Sequence, residues 1–459
     1  MKKNVFSLFF FALFLFSSLF SQEKNKSLTL NLIQCESYAF NNNLSIQSAK
    51  LGLQTSQAKL TQANHAKILP KFELKNIWGP SPRARGKLDS SGGFVISPDI
   101  STSIPGDLRY FTQLDVDIIQ PIFTFGKLKG LSEAAFYGVQ AKQASLDKEK
   151  GQVQFQVRRL YWATVLGKEL LTVVKDAEKE LQKAEDRIEQ KLDEDDEDVS
   201  QIDLYKVQLF RYEINKRLRE ASDNIELAHS ALKTTLGLQE ETKFEIASEY
   251  LDPVEFQLDS LSVYHEIAIQ NRPELAQLRA GISARRALVQ IKKSDYFPQF
   301  FLGGQVKYNF AKDRFDPKGQ FIYNPTNYFR PAIVAGMNLN LNFLQTRDKV
   351  RVAEAEFLQL AEREKQVLDG IKLEIKKIYL EVTRAKENMR DSRKALKSSE
   401  KWLRSATMTF DIGVGEISDL IDAFKANGAM QAAHLENIFK FNVATAKLSK
   451  TVGLDLYPN

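Results

Sequence analysis

Catalytic and redox side chains are scarce in this chain. Of its 459 residues one is cysteine and four are histidine. His65, His229, His265 and His434 are scattered without metal-ligand spacing, and no Gly-x-Ser-x-Gly elbow or Gly-rich phosphate loop occurs. The stretch FTFGKLKG from Phe123 lacks the leading glycine of a P-loop. An enzyme is therefore not expected, and no cofactor or metal is implied. Cys35 follows NLIQ, without the small residues that precede a lipid-acceptor cysteine. A lone thiol on a buried helix face is the simpler reading, and an intermolecular disulfide the other. After Met1 the methionines Met337, Met389, Met408 and Met430 are isolated, unlike the clusters expected of a copper or silver outlet. Charge of one sign is also lacking: 64 basic residues face 58 acidic ones for a net +6, which gives no case for nucleic acid.

Long hydrophobic runs are absent except for VFSLFFFALFLFSSLFS behind Lys2 and Lys3. That run is short of the ~20 apolar residues of a spanning helix and has the layout of a secretory signal peptide. Residues 1–21 are expected to be removed, with cleavage after Ser21 although Leu19 is not small. The whole chain is 43% hydrophobic and 27% charged, which excludes wholesale disorder.

What is present is one unit written twice. AFNNNLSIQ from Ala39 matches AIQNRPELA from Ala268, and ILPKFEL from Ile68 matches YFPQFFL from Tyr296. VRRLYWAT from Val157 matches IKKIYLEV from Ile375, and the halves close alike on LKTTLGL and LSKTVGL, with Asp203 and Asp419 in corresponding places before those endings. The pattern predicts a first repeat over 22–240, a linker over 241–256 and a second repeat over 257–459. Each repeat reads helix, strand, loop, strand, very long helix, break, helix. The long helices are expected from Lys127 to Lys191 and from Arg347 to Phe410. Val153, Val157, Leu160, Thr164, Gly167, Leu171 and Val174 recur at steps of four and three, as do Ile371, Ile375, Ile378, Val382, Ala385 and Met389. These are coiled-coil seams, and they coincide when the repeats are aligned.

Four strands are expected: Lys71 to Trp78, Thr112 to Ile119, Gln299 to Phe310, and Ala332 to Phe343. In the second, Gln113, Asp115 and Asp117 alternate with Leu114, Val116 and Ile118; in the last, Asn338, Asn340 and Asn342 alternate with apolar residues. Helices of such length leave no second sheet to cover the apolar faces, so the polarity suits a membrane barrel, with lipid outside and a wet lumen lined by those polar residues. Aromatic residues at the strand ends, among them Phe72, Trp78, Phe310 and Phe343, suit interfacial girdles. The spans Gly79 to Tyr110 and Ala311 to Phe329 are expected to be outward loops. Four strands cannot close a barrel, so copies must associate; two would give eight strands and three twelve, and the asparagine face prefers the wider lumen.

These motifs together resemble the TolC-type outer-membrane efflux family over nearly all of the mature sequence. The residues that carry the likeness are Asn42 and Asn271, Pro70 and Pro298 with their phenylalanines, QPIFTFGK from Gln120, GVGEISDLIDAFKA from Gly413, and the closing glycines Gly237 and Gly453. The resemblance implies a mainly α fold with a membrane β-barrel: a tandem-repeat protomer of long coiled-coil helices and four strands. Three such protomers form a twelve-stranded barrel and a periplasmic α-barrel. It further implies a passive exit duct in the outer membrane of a Gram-negative bacterium, extending into the periplasm, for tripartite efflux or type I secretion. Its partners are outer-membrane lipid, further copies of itself, a periplasmic adaptor and an inner-membrane transporter.

By the same resemblance the helix breaks are periplasmic hairpin tips. Asp419 and Asp422 match the family's paired aspartates and would form a carboxylate gate in the trimer, where the plain alternative is a solvated helix face. Gly413 and Gly415 sit at the same break, and Gly415 stands where a basic latch residue is expected. The other tip carries Asp193, Glu194, Asp195, Asp196, Glu197 and Asp198 ahead of Asp203. This run fails as a calcium loop; it reads as a solvated turn or as a docking patch for a basic adaptor tip. The rival class is a periplasmic coiled-coil adaptor or structural protein without a pore, which explains the seams but not the alternating strands.

Overall fold

A computed structural model describes residues 28–82, 84–88, 94–98, 108–194, 200–314, 316, 324, 326–412 and 414–457. The expected signal peptide, residues 1–21, lies outside them. In chain order the elements are β1 (Leu28–Leu30), α1 (Leu32–Asn42), α2 (Leu44–Ile68), β2 (Lys71–Pro82), β3 (Ala84–Leu88), β4 (Phe94–Pro98), β5 (Leu108–Phe123), α3 (Lys127–Asp193) and α4 (Gln201–Leu236). There follow β6 (Phe244–Ile246), α5 (Leu261–Asn271), α6 (Pro273–Ser294), β7 (Gln299–Ala311), β8 (Tyr328–Asn338), α7 (Phe343–Asp411) and α8 (Ile417–Val452). The chain is mainly α. Helices α3 and α7 contain 67 and 69 residues, roughly 100 Å each at 1.5 Å per residue. No described helix is long and apolar enough to cross a membrane.

The chain divides into two compact units, one of residues up to Leu51, Ser145–Glu274 and Val367 onward, the other of Gly52–Ala144 and Leu275–Gln366. In the first, the seams pack as the heptads require. Val153, Val157 and Thr164 on α3 and Ile371, Ile375, Ile378 and Val382 on α7 are buried. At Gly167 α3 packs tightly against α4: a Cβ there would lie 2.5 Å from Ile225 Cγ1. The turn between α1 and α2 is made by asparagine. Asn43 Oδ1 accepts from the Ser45 and Ile46 amides at 2.9 and 3.3 Å, capping α2, while its Nδ2 donates to Thr235 O at 2.8 Å.

A polar knot lies in the same unit. Arg158 on α3 is 6% exposed and donates to Glu36 on α1 at 2.5 Å and to Asp455 past α8 at 2.5 and 2.8 Å, with its guanidinium 4.3 Å from the centre of the Tyr457 ring. Burial opposes the charge on Arg158, but the two carboxylates outweigh it and raise its pKa. Cys35 is fully buried beside this knot, and burial with the neighbouring Glu36 pushes its thiol up to about 12, which leaves it inert.

The second unit holds a four-stranded antiparallel sheet in the order β2-β5-β7-β8. Its helices are tied by ion pairs from α6 to α7: Arg279 to Glu364 at 3.0 Å, Lys293 to Glu354 at 2.8 Å, and Arg285 to Glu356. Several strand boundaries depart from expectation. The first strand runs on to Pro82 and the second starts at Leu108, and the span expected to be loop contains the β3–β4 hairpin. The last strand ends at Asn338 rather than Phe343. Asn340 and Asn342 are therefore not barrel-lining strand residues. The Asn342 amide donates to Asn340 Oδ1 at 3.0 Å, and Asn342 O accepts from the Thr346 amide at 3.0 Å, so the segment serves as the lead-in to α7. Alternation in the letters was real, but a short asparagine side chain competes for backbone hydrogen bonds and favours turns and caps over ladders.

Candidate functional site

Two regions hold the candidate residues, one in each unit. The first is the end of the α3–α4 and α7–α8 hairpins. Leu181, Ile188, Leu204, Val207 and Ile214 pack against Ala406, Phe410, Ile417, Leu420, Ile421 and Ala423 as one apolar cluster. That cluster consumes one face of α8. Asp419 and Asp422, one helical turn apart, are both exposed on the rest of it.

Asp203 has a different setting from Asp419, although the two correspond in the repeat. Its carboxylate accepts from the Ser200 amide at 3.1 Å and the Ser200 hydroxyl at 2.7 Å, and Lys206 Nζ lies 3.1 Å away, completing a capping box for α4. Partial burial alone would raise the Asp203 pKa; the Ser200 and Lys206 donors reverse that and hold it below the ordinary carboxylate value. Lys206 Nζ also donates to Ser418 Oγ at 2.9 Å, and Arg187 donates to Asp411 at 2.6 Å, so two cations bridge the hairpins. Sequence reading missed both. The available signal was the spacing of Asp203 and Lys206 on one helix face; the partner hairpin was not legible.

Gly415 has no room for the basic side chain expected there. A Cβ would sit 2.9 Å from the Phe410 amide nitrogen and from Thr409 Oγ1, because the turn folds back so that both Val414 and Gly415 amides reach Thr409 O. Asp193 ends α3, and Glu194 follows with its carboxylate accepting from Gln190 at 3.0 Å. Asp195, Asp196, Glu197, Asp198 and Gly413 lie outside the described residues. Among the described residues no cluster suits a metal ion.

The second region is the sheet. Its register places Phe72, Ile118, Gly304 and Ile333 in one row and Leu74, Val116, Val306 and Pro331 in the next, all on one face. This face is bare: Phe72 and Leu74 are each 68% exposed and Ile333 is 85% exposed. The opposite face carries the rows Glu73, Asp117, Gln305, Ala332 and Lys75, Asp115, Lys307, Arg330, then Ile77, Gln113, Asn309, Tyr328. Gln305 donates to Asp117 at 2.6 Å and Gln113 to Asp115 at 2.9 Å. Gln113, Asp115, Asp117 and Asn338 thus share one polar face, with Asn338 opposite Gln299. Among the described residues strands β2 and β8 each have only one neighbour in the sheet, leaving two open edges.

Residues 265–453 match the outer membrane efflux protein family. No curated protein sequence matches the chain. Among solved structures it is similar to a membrane protein from Pseudomonas aeruginosa, with TM-score 0.75 and 14% identity over 94% of this chain and 92% of that one. It is also similar to the CmeC outer membrane channel of Campylobacter jejuni, with TM-score 0.72 and 15% identity over 96% and 92%. A third likeness is to the open state of the MtrE outer membrane channel of Neisseria gonorrhoeae, with TM-score 0.72 and 15% identity over 95% and 94%. At these identities the structural likeness is one of fold.

Proposed function

We propose that the chain is a member of the outer membrane efflux protein family that its residues 265–453 match, whose members are channels rather than catalysts, and that three copies form a passive exit duct. The duct lies in the outer membrane of a Gram-negative bacterium and extends into the periplasm. The sheets of three copies join edge to edge into a twelve-stranded barrel, and the long helices form the periplasmic tunnel. A periplasmic adaptor and an inner-membrane transporter complete a tripartite efflux or type I secretion system that exports small molecules or proteins. Asp419 and Asp422, exposed and a turn apart, supply the electrostatic gate, two carboxylates from each copy. Asp193, Glu194 and the acidic residues after them meet a basic adaptor tip.

The observation that carries this reading is the bare apolar face on a sheet with two open edges. In water such a sheet would aggregate; in a barrel the edges pair and the apolar face meets hydrocarbon. Thiol labelling tests it. In a Cys35→Ser background, Gln113→Cys and Gln305→Cys should react with a membrane-impermeant maleimide reaching the lumen, whereas Leu74→Cys and Ile333→Cys should be shielded by lipid. Equal labelling of the two faces would overturn the barrel and favour the pore-free coiled-coil reading.

A further inference from the structure

We propose that the barrel of this protein carries its own selectivity element, a cationic row formed by Lys75, Lys307 and Arg330 about Asp115, which draws anionic solutes through the outer half of the pore. The inference rests on the barrel reading above and names the class of solute that the lumen favours. The register places these residues side by side across all four strands: Lys75 opposite Asp115, Asp115 opposite Lys307, and Lys307 opposite Arg330. Three cations and one carboxylate therefore share one row of the polar face.

The carboxylates on the same face offset that excess only in part. Asp115 is the one carboxylate in the row; its Oδ2 accepts from the neutral Gln113 side chain at 2.9 Å and its Oδ1 is buried with no hydrogen-bond partner among the described residues, so it offsets one of the three cations through space. Neither Lys75 nor Lys307 forms an ion pair among the described residues. Arg330 is fixed in place, donating to Asn324 O at 2.8 Å and lying 4.0 Å over the Tyr328 ring. In the neighbouring row Glu73 pairs with Lys71 at 3.1 Å, whereas Asp117, bonded to the neutral Gln305 at 2.6 Å, keeps its charge; the two rows with Lys71 thus hold the cations Lys71, Lys75, Lys307 and Arg330 against the carboxylates Glu73, Asp115 and Asp117. The row recurs in each copy around a narrow aqueous lumen bounded by low-dielectric walls. Fields there are focused, and a Debye length of about 10 Å at 0.1 M salt lets the row act well into the lumen. The sign is opposite to that of the aspartates at the other candidate site, so the duct has two filters of opposite charge.

Planar-bilayer recordings across a KCl gradient test this. Both arms use the full chain with Asp419→Asn and Asp422→Asn, so that the aspartates do not mask the barrel. In that background the reversal potential should have the sign of chloride preference. Lys75→Gln with Lys307→Gln should lower the chloride-to-potassium permeability ratio by roughly two- to threefold, and Lys75→Glu with Lys307→Glu should invert it. Should the double variants fail to insert, Lys307→Cys with Cys35→Ser can be modified after insertion. A positively charged thiol reagent should then restore chloride preference, and a negatively charged one of similar size should abolish it. A reversal potential indifferent to these changes, in a protein whose two sheet faces label differently, overturns the cationic filter while leaving the duct intact. Equal labelling of the faces overturns the duct itself.

Discussion

The two repeats agree closely where the backbone is crowded and diverge where a side chain decides the outcome. In the first, the Asn42 side chain donates to Tyr38 O at 3.0 Å, and in the second the Asn271 side chain donates to Ile267 O at 2.9 Å. Against each of these helix ends packs a glycine from the other end of the repeat. Gly237 at φ 71° and Gly453 at φ 74° each end a helix in the left-handed conformation, and a Cβ on either would lie 2.6 Å from the carbonyl oxygen of Asn42 or Asn271. The asparagine and glycine motifs that mark the repeat in the sequence are therefore two halves of one contact. Arg158 and Lys376 show the opposite: they align in the repeat, yet Arg158 is buried between two carboxylates while Lys376 is exposed. Equivalent positions keep equivalent chemistry only where the surrounding partners are also repeated.

The strongest way to sharpen that contrast is to remove the two basic groups in turn. Arg158→Met strands Glu36 and Asp455 without their cation and should cost about 3–5 kcal/mol in urea unfolding, whereas Lys376→Met should stay within ~0.5 kcal/mol. Similar losses at both sites would erase the distinction. A pH dependence accompanies it. Burial tends to raise the Asp455 pKa, but Arg158 overrides it and lowers it. The stabilisation is therefore present above the unfolded carboxylate value and lost as pH falls through the lower folded one, and Arg158→Met should remove this acid-side slope.

Next come the glycines. Gly237→Val and Gly453→Val force a β-branched residue into the left-handed region and against a carbonyl oxygen, and each should cost about 2–4 kcal/mol. Equality is the informative outcome: tolerance at one site alone would show that the repeat is only apparent there. The smallest effect concerns the corresponding aspartates. Asp203→Ala removes a capping box and should destabilise the tip by about 1 kcal/mol, read as faster amide exchange at the start of α4. Because the Asp203 pKa is lowered, that contribution should fade on acidification below about pH 4. Asp419→Asn with Asp422→Asn should leave stability within ~0.5 kcal/mol and instead shift the channel from cation preference toward chloride. A comparable loss of stability with unchanged selectivity would return both residues to a structural role.

Periodicity made much of the fold legible. The long helices, their seams and the presence of four alternating strands follow from spacing that only one secondary structure satisfies, and the structure moves the helix ends by only a few residues. The asparagine-rich stretch before α7 was misread because strand alternation and capping ask for the same letters, and backbone hydrogen bonding chose the cap. At the tip, Asp203 and Asp419 looked equivalent, but a serine three residues before Asp203 and a lysine three residues after it turned one into a structural group.

The sequence by itself determined the doubled helix-and-strand plan, since this depends on local period. Only the tertiary structure decided which polar and charged groups lie side by side. Arg158 with Glu36 and Asp455, Lys206 with Ser418, and Lys75 with Asp115 and Lys307 are brought together over separations the chain order does not reveal. Electrostatic interaction depends on distance and on exclusion of water, and both are set by packing.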